Sequence, residues 1–300
     1  MAFEYGVEQK VFEIGGVRVG GIPGERPVVL IGSIFYHGHK IVKDERKGEF
    51  DKEAAEKLLK DQEELSDRTG NPCMVDVVAS TGEAMKKYLE FVSNVTDVPI
   101  LVGGAVASAR IEGIKYAKEV GLMNRVVYNS IVPDAKQDEL SAIEEAGVES
   151  AVLLTFSAKQ FTTASRVEAA KELVKIAERL GVKKVMVDTC TLDIPSLGMS
   201  CKAIRVIKDE LGVPVGCGAH NAVSMWRGLK PKFGKEAVKP ALASSCVMAV
   251  AVGADFILYG PIKDAKFVFP AVAMVDAAYG YLATESGCKL DRSHPLFRIA

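Results

Sequence analysis

From Pro27 to the C-terminus, short runs of apolar and β-branched residues alternate with stretches of helical period, and no break in composition interrupts the alternation. The strand-like runs fall at residues 28–35, 73–78, 100–102, 125–130, 150–156, 184–188, 213–218 and 255–260. Near-continuous apolar strands separated by amphipathic helices predict a parallel sheet covered by helices, and eight such units favour closure into a (β/α)8 TIM barrel. The chain is therefore read as one α/β domain spanning residues 1–300.

The helical stretches carry their own signals. Val167, Ala170, Val174, Ala177 and Leu180 recur on one face and leave Lys171, Lys175 and Glu178 outside, as a helix lying on a sheet requires. Ser165 with Glu168, and Ser80 with Glu83, have capping-box spacing. Gly147, Gly181, Gly212 and Gly253 each stand shortly before a strand, where a helix end needs a residue tolerant of positive φ. Before Pro27, residues 11–14 and 17–19 flank Gly15-Gly16. This is a hairpin pattern, expected to plug the N-terminal end of the barrel. Residues 222–239 hold the only tryptophan, Trp226, and are too long for a plain βα loop; they predict a lid or a subunit contact.

Function in such a barrel lies at the C-terminal ends of the strands, where the βα loops converge. Four runs end there in one acid or amide: Asp76, Asn129, Asp188 and, after Gly218-Ala219-His220, Asn221. Together they offer acceptors and donors that suit a heterocycle carrying an amino group, a lactam and ring nitrogens. Each could instead cap a helix or pin its loop. Composition excludes other classes. With a net charge of -1 and 26% charged residues of both signs interleaved, the chain has no basic field for nucleic acid. Its six cysteines form no CxxC pair and no leader-like segment opens the sequence, which points to a reducing, cytoplasmic setting. The longest apolar stretch, residues 240–258, is broken by Ser244, Ser245, Gly253 and Asp255 and does not read as a membrane span.

Other barrel chemistries are incomplete. His37-Gly38-His39 places two imidazoles on one side of an extended chain, as in metal-dependent hydrolases, but His220 is the only further candidate, with Asp264 as a possible acid. A Schiff-base lysine is wanting: Lys183 and Lys184 stand at the wrong end of their strand, and Lys159 and Lys263 in loops. The Gly253-to-Pro261 stretch carries half of a phosphate-binding pattern, and its partner after the seventh strand is replaced by His220-Asn221.

Three ordered segments, residues 29–42 (VLIGSIFYHGHKIV), 51–55 (DKEAA) and 62–77 (QEELSDRTGNPCMVDV), resemble the H subunits of tetrahydromethanopterin S-methyltransferase. They are also similar to bacterial enzymes that methylate tetrahydrofolate from a methylated corrinoid protein, as in glycine betaine demethylation. The resemblance covers nearly the whole chain and implies a pterin-binding barrel that moves a methyl group between methylcobalamin on a separate corrinoid protein and N5 of tetrahydrofolate or tetrahydromethanopterin. It implies pterin-binding roles for Asp76, Asn129, Asp188, Gly218 and Asn221, with Asn221 the catalytic group facing N5, and a homodimeric assembly. His37, His39 and Lys40 would line the rim or meet the folate tail. The wider family carries an acid after the third strand, where this chain has Gly103-Gly104; Asp76, a tilted pterin or freed backbone groups would have to compensate. Two competing expectations stand beside this one: a metal-dependent hydrolase built on His37, His39 and His220, and a non-catalytic subunit that only binds pterin.

Overall fold

The computed structural model describes residues 3–156 and 161–299. A hairpin of β1 (Val11–Ile14) and β2 (Val17–Gly20) opens it, followed by β3 (Val29–Ile34) and a small excursion of β4 (Val42–Asp44) and β5 (Glu49–Phe50). Then α1 (Lys52–Thr69), β6 (Cys73–Val78), α2 (Gly82–Val95), β7 (Ile100–Gly103), α3 (Ala107–Glu119), β8 (Val126–Ile131) and α4 (Gln137–Ala146) alternate. The alternation continues through β9 (Ser150–Leu154), α5 (Thr163–Arg179), β10 (Lys184–Asp188), α6 (Ile194–Leu211) and β11 (Val215–Cys217). Two short helices, α7 (His220–Ser224) and α8 (Leu229–Phe233), precede α9 (Val238–Ala251), β12 (Phe256–Pro261), α10 (Ala265–Glu285) and α11 (Pro295–Arg298). Strands β3 and β6 to β12 form a closed, wholly parallel barrel in chain order.

Successive side chains of a strand alternate between the barrel axis and the helices. Val29 and Ile31, Met74, Leu101, Val127, Val152, Met186, and Phe256 with Leu258 point inward and pack as one buried cluster, joined by Ile14 and Val19 of the hairpin. The hairpin is thus a plug, with its two apolar side chains filling the lower end of the barrel. Two residues further along five of these strands the inward positions become Ser33, Asp76, Gly103, Asn129 and Asp188, while β9 keeps an apolar Leu154. The interior is dry below and polar above.

All four punctuating glycines adopt positive φ, 71° at Gly147, 76° at Gly181, 62° at Gly212 and 102° at Gly253. The caps differ from the sequence expectation. Helix α5 is capped by Thr162, which forms its box with Ser165, and α2 by Thr81; Ser80 instead donates to the Glu45 carbonyl at 3.0 Å. In α5 a hydroxyl nearer the strand reaches the third helical N–H first, whereas in α2 the cap moves one residue toward the helix because the Ser80 hydroxyl is taken by Glu45. Residues 240–258 split between α9 and β12. Composition alone would let Ile262–Glu285 cross a membrane, yet here Val268, Phe269, Val272 and Ala273 are buried against the barrel, while Phe267, Met274 and Tyr281 are exposed. Lys159 lies outside the described residues.

Beneath the barrel, Lys208 of α6 is fully buried. Its Nζ donates to both carboxylate oxygens of Asp255, at 2.6 and 2.7 Å, and to the Gly21 carbonyl at 2.9 Å; Asp255 also accepts the Val215 N–H at 2.8 Å. Removing one member of such a pair strands the other charge in the core. Lys208→Met is expected to lower the unfolding free energy by about 3–5 kcal/mol in urea titrations.

Candidate functional site

At the open end of the barrel the polar residues do not form a loose ring; two of them touch. Asn129 Nδ2 donates to Asp76 Oδ1 at 3.0 Å, and Ser33 Oγ donates to Asp76 Oδ2 at 2.8 Å. Asp76 is 5% exposed, and burial pushes its carboxyl above the ordinary carboxylate value while the Ser33 and Asn129 donors pull it down. Three strands, β3, β6 and β8, therefore supply one hydrogen-bonded cluster.

Gly103 makes room for it. A Cβ on Gly103 would lie 2.3 Å from Asp76 Oδ1, far inside van der Waals contact. The acid absent from the third barrel strand and the acid present on the second are one feature: the Asp76 carboxylate occupies the space in front of β7. The following Gly104 is pinned by Arg110 of α3, which donates to the Gly104 carbonyl at 2.5 Å and to Glu139 at 2.5 Å; Tyr128 closes this buried set with a hydrogen bond to Glu139.

Across the mouth, Asp188 ends β10. Its Oδ1 accepts the Cys190 N–H at 2.8 Å, and the Gly218 N–H also donates to its carboxylate. Burial pushes the Asp188 pKa up to about 6, against those two N–H donors and the Arg166 charge. The turn that holds Asp188 is braced from behind. Arg166 of α5, 1% exposed, donates to the carbonyls of Thr189 at 2.7 Å, Cys190 at 3.1 Å and Thr162 at 3.1 Å. Cys190 sits at φ 58° and Phe35, just past β3, at φ 62°, so two non-glycine residues hold left-handed backbone beside the mouth, where such strain collects in functional sites.

Asn221 stands in the first turn of α7 and its Nδ2 donates to the Thr191 carbonyl at 3.0 Å. Turning the amide over would set oxygen against oxygen, so Oδ1 is the end left for a ligand. The neighbouring His220 gives Nδ1 to the Leu258 carbonyl at 3.0 Å, its ring seated where a side chain on Gly260 would otherwise come within 2.7 Å. Burial holds His220 below the usual imidazole value, so near neutrality its Nε2 is unprotonated.

The three histidines proposed for a metal hydrolase do not converge. His37 is exposed and pairs with Glu45 at 2.9 Å, whereas His39 is buried, stacks on Tyr36 with centroids 4.4 Å apart, and accepts the Phe35 N–H at 3.1 Å. Burial and then the Lys263 charge lower the His39 pKa to about 4. The one-sided placement assumed an extended chain, and the left-handed Gly38 between the two histidines, at φ 75°, destroys it. Among the described residues no group of three His, Cys, Asp or Glu side chains is arranged to hold a metal ion.

Comparison with known proteins decides the family. Residues 7–290 match the family of the tetrahydromethanopterin S-methyltransferase MtrH subunit. The chain belongs to this family. It is 39% identical to the H subunit of the tetrahydromethanopterin S-methyltransferase of Methanothermobacter thermautotrophicus, covering 99% of each chain. It is 41% identical to the corresponding H subunit of Methanopyrus kandleri, covering 92% of each. Among solved structures it resembles a Yersinia pestis dihydropteroate synthase bound to a pterin–sulfa conjugate, with a TM-score of 0.63 and 14% identity, covering 93% of this chain and 100% of that one. The last likeness concerns the fold alone.

Four features of the site go beyond the sequence reading. One of them, Ser33, is legible in principle, since it follows Ile31 by two on the first strand and must face the same way. Arg166, the Thr191 carbonyl and the Gly103 gap are not, because each acts across elements far apart in sequence. Gly103→Ala is expected to destabilise the fold by about 1–3 kcal/mol through overpacking. In an Asp76→Ala background, where the carboxylate is gone and the Val77 carbonyl at 3.3 Å is the contact left, the same change should cost at least about 1 kcal/mol less. Additive costs in urea unfolding of the four proteins would rule the collision out.

Proposed function

We propose that this chain moves a methyl group between a corrinoid protein and N5 of a tetrahydropterin bound in the barrel mouth. The observation that carries it is the set of inward polar groups above a dry, plugged interior in a chain of this family: Asp76 joined to Asn129, Asp188 on two N–H donors, and Asn221 with its oxygen free. Carboxylates and an amide in this arrangement match the N–H donors and ring acceptors along a pterin's pyrimidine edge. The relatives' names specify tetrahydromethanopterin, which favours that pterin over tetrahydrofolate. The mouth lies open to a docking protein, and methylcobalamin carried by that protein would supply the methyl as an electrophile.

What this chain must do is orient and exclude water. Asp76, Asn129 and Asp188 fix the ring, with Gly218 acting through its backbone N–H on Asp188. N5 is a neutral amine that gains positive charge as it takes the methyl and then loses a proton, so an acceptor beside it lowers the barrier. Asn221 Oδ1 is that acceptor.

Two outcomes follow. Asn221→Ala should cut kcat for methyl transfer from free methylcobalamin by roughly 10²–10³-fold with little change in pterin affinity; full turnover would remove Asn221 from the reaction, and a wild-type chain that binds pterin without transferring methyl would leave it a binding subunit. The pH dependence has a definite sign. Asp188 offers a charged acceptor on both oxygens only when ionised, and burial pushes its pKa up to about 6. Pterin affinity, measured by calorimetry, should be level above that pH and fall roughly tenfold per pH unit below it. Asp188→Asn should bind more weakly and lack this inflection.

A further inference from the structure

Residues 222–239, the stretch too long for a simple βα loop, wall a cavity of about 290 Å³ against the end of β12. His220, next in sequence to Asn221, lines it, so the cavity adjoins the mouth. Its deep side is apolar, with Leu229 and Leu242 buried. Trp226 stands half-buried in the wall, edge-on to Phe233 with ring centroids 6.0 Å apart. The acid of the lining, Asp264, is neutralised by Lys239 at 2.5 Å. Arg227 and Lys230 also line the cavity, both exposed, and neither makes an ion pair or side-chain hydrogen bond among the described residues. An aromatic wall thus leads from the mouth to two uncommitted cations.

We propose that this cavity is the subsite for the acidic tail of the pterin substrate, Trp226 packing its aryl group and Arg227 with Lys230 pairing its carboxylates or phosphate. The proposal rests on the pterin function above and adds to it. In tetrahydrofolate and tetrahydromethanopterin alike, an arylamine joins the ring system to an anionic chain. A ring held by Asp76, Asn129 and Asp188 with N5 at Asn221 would send that chain out past α7. The volume stands at the low end of ligand pockets and takes one aryl group with its linker, leaving the charges at the lip in water. Contacts there are screened, so each contributes modestly, whereas aryl packing against a half-buried indole contributes more.

The test is calorimetric titration of the intact chain with tetrahydrofolate, its triglutamate, tetrahydromethanopterin, and 6-methyltetrahydropterin, which lacks the arylamine and the tail. Trp226→Ala and the Arg227→Ala/Lys230→Ala double variant should each raise the Kd of the tailed pterins by about five- to twentyfold, and leave 6-methyltetrahydropterin within about twofold. A larger loss in the double variant for the triglutamate marks carboxylate pairing, and a larger loss for tetrahydromethanopterin marks phosphate pairing. Added salt should weaken tailed ligands more for wild type than for the double variant. Unchanged affinities in both variants, or equal losses for the tail-less ligand, overturn the tail subsite while leaving the ring site standing. Wild-type protein that binds none of the four overturns the pterin function and the subsite with it.

Discussion

Closing eight parallel strands leaves an interior just wide enough for side chains, and in this chain one end of that interior is stoppered. Ile14 and Val19 enter from the hairpin and complete an apolar plug with Met74, Leu101, Val127 and Met186. Polar groups facing the axis can then reach water or a ligand at one end only. Polar groups of the strands themselves are confined to the last inward positions, with Asn221 added from the turn into α7, and the identity of these residues decides what the mouth can hold. The plug also explains why these positions are few. A strand of four to six residues has two or three inward sites, and the plug consumes the lower ones.

The buried acids sort themselves by what neutralises them. Asp255 has Lys208, Glu139 has Arg110 and Asp264 has Lys239; each pair ties elements together. Asp76 and Asp188 form no such pair among the described residues and are held by O–H and N–H donors alone. A carboxylate buried without a cation costs free energy and raises its own pKa, a cost that a ligand offering N–H donors would offset. Asp276 shows that lack of a cation is not sufficient evidence of a binding site. It is buried, pushed up to about 7, and accepts Val28 N–H and Asn71, yet it packs under β3, far along the strand from the mouth. Location at the open end is what distinguishes Asp76 and Asp188.

The barrel was legible because it follows from two periodicities that any stretch of sequence displays. Strand positions, the hairpin plug and the glycine punctuation all rest on local rules, and they hold to within a residue or two. The short β11, three residues against six expected, shows the limit: Gly216 and Cys217 pair with Phe256 and Ile257, and the chain then turns at once into α7 at His220. The strand-end acids and amides were equally legible. Their partners were not. Asp76 meeting Asn129 depends on a missing Cβ at Gly103, and the Asp188 turn depends on an arginine 22 residues upstream on the outside of the barrel. The paired histidines fail because their spacing was judged on an extended backbone that the left-handed Gly38 between them does not provide.

In the proposed methyl transfer, Asn221 shows how a contact outside the mouth would set chemistry within it. An asparagine beside N5 could serve either direction of transfer, offering its oxygen to a protonating amine or its N–H to a departing one. The Thr191 carbonyl removes the choice by engaging Nδ2. Using the N–H toward the ring would require breaking that bond and leaving the Thr191 oxygen, at the start of a buried turn, without its partner, which costs about 1–3 kcal/mol. In the proposed reaction this resting geometry would be complementary to the positively charged, N–H-bearing N5 of the transition state, which both directions of transfer share. A carbonyl that never approaches the substrate would in this way fix which end of the Asn221 amide faces N5.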